Sequence, residues 1–276
     1  MNRIIADTYL DCARYLLPKI VVLVKYTPDL TSDRNFLADG TVDRAGTPGR
    51  LSELDEHAAE QALQVLESSA GSELTYLTMG PDGAADALRK ALSMGGDGAV
   101  HVRDDALHGS DAFATSLVLA EAIKRIGFDL VVTGMASTDA GMGVVPALLA
   151  ERLGVPQVTF AGRLSVNGEV VEILRDSDTS SETVTARMPA IVSVTDRTGE
   201  ARYPSFKGIM AAKKKPVQTW SLADLGIDPA LVGLAGARTA VLATARRPAR
   251  TAGQLVKDDG DGGRALADFL ASQRFI

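Results

Sequence analysis

The chain is poor in the residues that build reactive or metal centres. Its single cysteine, Cys12, excludes an intrachain disulfide framework and any zinc or iron–sulfur site made from its own thiolates. The three histidines, His57, His101 and His108, are scattered along the sequence, so no metal cluster is expected from them. Also missing are a Gly-x-Ser-x-Gly elbow, a His-Glu-x-x-His pair, a readable Cys–His pair, a P-loop Gly-Lys-Ser/Thr and a GxGxxG opening the first helix. No run approaches the roughly 18 apolar residues of a membrane span, so membrane insertion is not expected. Positive charge is not in excess either. The net charge of −6 and pI near 5.2 argue against nucleic acid as a bulk partner. Arg3, Asp7, Asp11 and Arg14 interrupt the first residues, which argues for a short extra helix rather than a secretory signal. The cytoplasm is the expected location.

What is present is a soluble, core-forming composition, 46% hydrophobic and 23% charged over 276 residues. Residues 20–24 (Ile-Val-Val-Leu-Val) form an apolar run expected as a buried strand. A polar loop follows over 25–35, then a small hairpin over 36–42 around Asp39-Gly40. Ser52, three residues before Asp55, is expected to cap a helix whose stripe is Leu54, Ala58, Ala62, Val65 and Leu66. Strands at 74–78, 98–102 and 129–133 alternate with helices at 84–94, 111–126 and one ending at Leu153. Such alternation implies a parallel, helix-covered sheet. From 158 onward, with Asn167-Gly168 as a hairpin turn, the pattern reads as an extension rich in antiparallel pairing. Beyond Pro216 the charged, punctuated sequence, including Arg246, Arg247 and Arg250, is either a disordered tail or an arm ordered against something else. A helix over 264–273 carries Leu266, Phe269 and Leu270, an apolar face that needs a partner.

Two glycine-bearing loops, 80–83 and 134–143, fall at the carboxyl ends of parallel strands, where open α/β sheets bind ligands. Each leads into a helix N-terminus whose free amides suit a phosphate, although an ordinary tight turn uses glycine too. Ser137 and Thr138 offer hydroxyl donors, and Asp139 reads as an Asx turn or helix cap that shapes the loop. Asp55 and Glu56 read as carboxylates that complement the helix dipole. No acid–base pair is required of them, and Cys12 reads as a small hydrophobe. A second feature is the stretch 202–215, in which Tyr203, Phe206, Ile209 and Met210 precede Lys213, Lys214 and Lys215. It reads either as a docking loop with an apolar anchor beside a positive patch, or as a turn feeding a helix whose end is complemented by lysines.

Several segments occur together in one order: Val24-Lys25 with Pro28-Asp29, Asp55-Glu56 with Glu60 and Ala62, Gly80-Pro81, Ala91-Leu92 with Met94-Gly95, and Gly134-Met135-Ala136-Ser137-Thr138-Asp139. Gly154-Val155-Pro156-Gln157, Leu174-Arg175-Asp176, Met188-Pro189-Ala190-Ile191-Val192 and the stretch 202–215 follow. In this combination the chain from Lys19 to Ile276 resembles the β subunit of electron transfer flavoprotein. The resemblance implies a three-layer α/β, Rossmann-like parallel sheet of the adenine nucleotide alpha hydrolase type, with an antiparallel extension and a C-terminal arm. The implied division is an extension over 1–18, a nucleotide-binding domain over 19–220 with a recognition loop at about 196–212, and an arm over 221–276 on the α subunit.

By the same resemblance the chain is an electron-carrier subunit rather than an enzyme. An FAD held mainly by the α subunit would pass electrons from an acyl-CoA or related dehydrogenase to a membrane-bound quinone oxidoreductase. A structural AMP would lie against Leu23, Ser52, Glu53, Leu54, Asp55, Met79, Gly80, Gly134, Met135, Ala136, Ser137, Thr138, Asp139, Gly143, Val144 and Val145. Leu30 and Leu54 would face the flavin where the family often has aromatic residues. Phe206 would be the docking anchor where the usual residue is leucine. Many members carry Asn-Gln-Thr where this chain has Gly143, Val144 and Val145, which removes side-chain donors from the loop. Three alternatives stay open: a bifurcating subunit with a second FAD in place of AMP, an ATP-hydrolysing or adenylating enzyme on a related fold, and a nucleotide sensor.

Overall fold

The computed structural model describes residues 18–69, 71–245, 248–249, 253 and 255–276. The expected N-terminal helix, Cys12 and the arginines at 246, 247 and 250 lie outside the described residues. Two compact units occur, Met1–Leu242 and Ala243–Ile276.

The first unit starts with β1 (Lys19–Leu23) and two short strands, β2 (Tyr26–Pro28) and β3 (Gly49–Leu51). Helix α1 (Glu53–Ser68), β4 (Glu73–Met79), α2 (Ala84–Met94) and β5 (Gly98–Val102) follow. Next come α3 (Ala112–Ile126), β6 (Leu130–Gly134), α4 (Val145–Leu153) and β7 (Gln157–Ala161). The chain continues through β8 (Arg163–Asn167), β9 (Val170–Asp176), β10 (Ser181–Arg187) and β11 (Ala190–Val194). Helix α5 (Phe206–Ala212), β12 (Val217–Trp220) and a single turn, α6 (Gly233–Gly236), complete it.

Seven strands form one sheet in the order β12-β5-β4-β1-β6-β11-β7, with every pairing parallel. Alternation of side chains along each strand supplies two cores. Ile20, Val22, Leu74, Tyr76, Leu130 and Val192 face α1 and α2, while Val21, Leu77, Val100, Val131 and Ile191 face α3 and α4. The fold is therefore the three-layer parallel α/β arrangement. The chain runs outward from β1 to β5 on one side and returns with β6 on the other, so strand order reverses between β1 and β6.

Three expectations are corrected. The antiparallel extension expected from residue 158 is present, but β7 and β11 are not part of it. Strands β8, β9 and β10 form a separate antiparallel sheet, with Gly168 at φ +60° in its hairpin, but β7 and β11 rejoin the parallel sheet. The loop after β1 contains β2, which pairs antiparallel with β3. Strand β12 extends the main sheet beside β5, and Leu222, Ile227 and Val232 are buried behind it, so the first unit continues past residue 220. The second unit carries α7 (Gly262–Ser272), on which Leu266 and Phe269 are exposed.

Candidate functional site

The reversal falls between β1 and β6, and it is at the carboxyl ends of such strands that open α/β sheets form a ligand crevice; here the chain leaves β1 toward Lys25 and β6 at Gly134. Gly134 is required there because a Cβ would stand 2.6 Å from Asp55 Oδ1 and 3.0 Å from the backbone of Leu54. The start of α1 thus packs directly on the end of β6. Asp55 is buried, and its Oδ2 accepts the Lys25 amide at 2.8 Å. Burial pushes its pKa up to about 7, against the opposing pull of hydrogen bonds from the Lys25 and Gly134 amides and the Lys25 charge.

The capping role expected of Ser52 is not realised. Ser52 donates its amide to Lys25 O at 2.9 Å, and its buried hydroxyl makes no hydrogen bond. Asp55 serves the two strand ends rather than a capping box.

The loop after β6 is held by charge. Asp139, with a side chain only 2% exposed, receives Lys25 Nζ on Oδ1 at 2.8 Å and Arg44 Nη2 on Oδ2. Burial opposes its ionisation, but Lys25, the Ser137 hydroxyl and Arg44 outweigh that and hold the carboxyl well below the usual range. Its Oδ1 also accepts the Ala140 amide at 2.7 Å, so the loop-shaping role expected of Asp139 rests on ion pairs as well as a local turn. Lys25 Nζ lies 3.3 Å from Ser137 Oγ, Thr27 and Thr138 hydroxyls are 3.0 Å apart, and Arg34 Nη1 donates to Thr138 O at 3.2 Å. Gly141 and Gly143 take positive φ of +65° and +68°, turning the chain into α4. The first amides of α4 have no carbonyls within their own helix.

Leu23 is buried at the end of β1 and Met79 is half-buried at the end of β4, both against the α3 side. Glu53 is exposed and 3.6 Å from Arg50; Leu54 is half-buried under Gly134. Met135 and Ala136 are half-buried, with the Met135 amide donated to Val194 O at 2.8 Å, and Val144 is exposed at the start of α4. Leu30 is exposed. The two glycine loops, equal in sequence, are unequal in space. Gly80 donates to Val102 O, and the Tyr26 ring lies against Gly83, where a Cβ would be 3.0 Å from it. That ring covers the start of α2, whereas 134–143 is surrounded by cations. Lys25, Arg34 and Arg44 were not picked out as site residues, and no local pattern marks the two arginines, whose partners lie about a hundred residues away.

The stretch 202–215 is built differently. Arg202 Nε and Nη2 donate to Glu60 at 2.7 and 3.0 Å, its amide donates to Glu60 at 3.1 Å, and its guanidinium also donates to Glu67. These hydrogen bonds raise the Arg202 pKa. Ser205 Oγ accepts Gly208 N at 3.0 Å and caps α5. At the other end Lys215 Nζ donates to Leu92 O at 3.0 Å, and burial lowers its pKa. Between these ties Tyr203 is 91% and Phe206 80% exposed, with Ile209 and Met210 also exposed. Lys213 and Lys214 stay in solvent, so Lys215 is set apart from them by its contact with α2.

Among the described residues there is no cluster of histidine, cysteine, aspartate or glutamate suited to a metal. No described helix is long and apolar enough to cross a membrane. The model of the electron transfer flavoprotein domain matches residues 39–225. The β subunit of electron transfer flavoprotein from Mycobacterium leprae is 47% identical over 268 residues, covering 94% of this chain and all of that protein. Its counterpart from Mycobacterium tuberculosis H37Rv is 45% identical over 267 residues with the same coverage. The chain belongs to the electron transfer flavoprotein β-subunit family. Within the same set, the caffeyl-CoA reductase–Etf complex subunit CarD of Acetobacterium woodii is 31% identical over 239 residues, 86% of this chain and 91% of that one.

Proposed function

We propose that this chain is the β subunit of a cytoplasmic, heterodimeric electron carrier that holds a structural AMP in the β1/β6 crevice. The observation that carries the reading is the composition of that crevice. It offers cations, hydroxyls and helix-start amides, which suit a phosphate. An orphaned buried hydroxyl at Ser52 adds a polar atom that a nucleotide can satisfy. In this reading Lys25, Ser137 and Thr138 hold the phosphate side, and Gly134 and Leu54 shape the floor.

FAD, held mainly by an α subunit, supplies the redox chemistry when bound. This chain contributes Leu30 and Leu54 to exclude water from the ring, and the second unit, with the apolar face of α7, covers the α subunit. Phe206, framed by Tyr203, Ile209 and Met210, docks the donor, an acyl-CoA or related dehydrogenase, and Lys213 and Lys214 steer it. The acceptor is a membrane-bound quinone oxidoreductase.

The test is co-expression with the α subunit, followed by extraction and quantification of nucleotides. One FAD and one AMP per heterodimer is expected. Two FADs would replace the reading with a bifurcating subunit, and a chain recovered alone with ATP turnover would overturn it.

A further inference from the structure

Resting on that reading, we propose that Arg34 and Arg44, carried on the excursion between β1 and α1, are phosphate-binding side chains of the crevice. Three cations, Lys25, Arg34 and Arg44, converge on the loop 134–143, where Lys25 and Arg44 pair with Asp139 and Arg34 reaches the Thr138 carbonyl. Asp139 pairs with two of these cations and Asp55 lies in the field of Lys25, so the three cations outnumber the two carboxyls at the switch point. Arg44 engages Asp139 through Nη2, and Arg34 meets the loop through a single bond to the Thr138 carbonyl. A guanidinium offers a fork of donors matched to phosphate oxygens, and most of each fork is uncommitted among the described residues.

Other acids of the excursion are engaged elsewhere. Asp29 binds Thr31 and Arg50, Asp39 binds Thr41 and His108, and Asp43 accepts the Gly46 amide. Asp33 is exposed, and Asp55 is turned onto the Lys25 and Gly134 amides. None of these carboxylates is paired with Arg34 or Arg44. Gly143, Val144 and Val145, at the start of α4, bring no side-chain donor, so side-chain recognition of phosphate falls to residues from elsewhere. The Ser52 hydroxyl is buried and unpartnered, on the segment whose amide is bonded to Lys25 O. The ligand class is an adenine nucleotide with at least one phosphate, and AMP and the pyrophosphate of FAD share that chemistry.

The experiment measures AMP and FAD binding to the α–β heterodimer by equilibrium dialysis at two salt concentrations, beside as-purified nucleotide content. Arg34→Gln and Arg44→Gln are each expected to weaken binding about tenfold or more and to flatten its salt dependence. FAD at the α-subunit site, and the melting temperature of Arg34→Gln measured after removal of the crevice nucleotide, should be unchanged. Arg50→Gln, on the same excursion but paired with Asp29 and Glu53, is the control and should bind as wild type does. Arg34→Gln is the cleaner variant, because Arg34 meets the loop at a backbone carbonyl, whereas Arg44→Gln also loosens Asp139. Tighter binding of AMP than of FAD identifies the natural ligand as the monophosphate; the reverse identifies the dinucleotide. Wild-type affinity in both variants overturns the assignment of the arginines while leaving the nucleotide site standing. A wild-type heterodimer that binds no adenine nucleotide at this site overturns both.

Discussion

The β1/β6 crevice and the stretch 202–215 use the same kinds of residue in opposite ways. In the crevice the charged groups point inward and pair across long sequence separations: Lys25 and Arg44 on Asp139, and the Lys25 amide on Asp55. In the stretch the charged groups at the two ends are rivets, Arg202 on Glu60 and Lys215 on Leu92 O, and the apolar side chains between them face solvent. Side chains already tied into the fold are spent on shape. The exposed ones between the rivets are free to meet something else. A charge-locked crevice suits a ligand that stays, and a short riveted helix with an exposed ring suits a partner that leaves.

The contrast is broken most severely by Gly134→Ala. Its Cβ meets the Leu54 backbone and the Asp55 carboxylate, and neither can yield as a flexible side-chain end would. A loss of about 3 kcal/mol is expected from overpacking, read by denaturant unfolding, together with loss of bound nucleotide.

Asp55→Asn sharpens the same region through pH. The folded pKa is raised from 3.8 to about 7, so the folded state holds a proton that the unfolded chain has released. The stabilising contribution is complete below 3.8 and is lost as pH rises toward 7. Melting curves across that window should show the variant gaining on wild type, by on the order of 4 kcal/mol at the upper end. A constant difference would mean the carboxyl is ionised throughout. The smallest effect divides the lysines. Lys215→Glu removes the bond to Leu92 O and places a negative charge at the end of α2, costing about 1 kcal/mol. Lys213→Glu and Lys214→Glu should stay within about 0.5 kcal/mol and change only the salt dependence of electron uptake.

Much of the architecture was legible because it is local. The bounds expected for α2 and β5, 84–94 and 98–102, agree with the structure, and Asn167-Gly168 turns the hairpin. Strand partners were less so. Residues 157–161 and 190–194 carry apolar character suited to either sheet, and only their packing on β6 and each other places them in the parallel one. In the crevice, the glycine loop and Asp139 stood out from turn chemistry. Arg34 and Arg44 did not, because an arginine in a polar loop carries no sign of the carboxylate or carbonyl it will reach. The unequal fate of the two glycine loops was hidden for the same reason: it is set by the Tyr26 ring lying against Gly83.

The central claim is that the two regions serve separate partners, and Phe206→Ala tests it most directly. Nucleotide content and the rate of flavin reduction by the donor dehydrogenase are measured on one preparation of the heterodimer. The account predicts unchanged FAD, unchanged AMP and melting temperature, and flavin reduction slowed about tenfold, as for the loss of an interface hot spot. Flavin reduction at the wild-type rate, or loss of nucleotide from this variant, would contradict it.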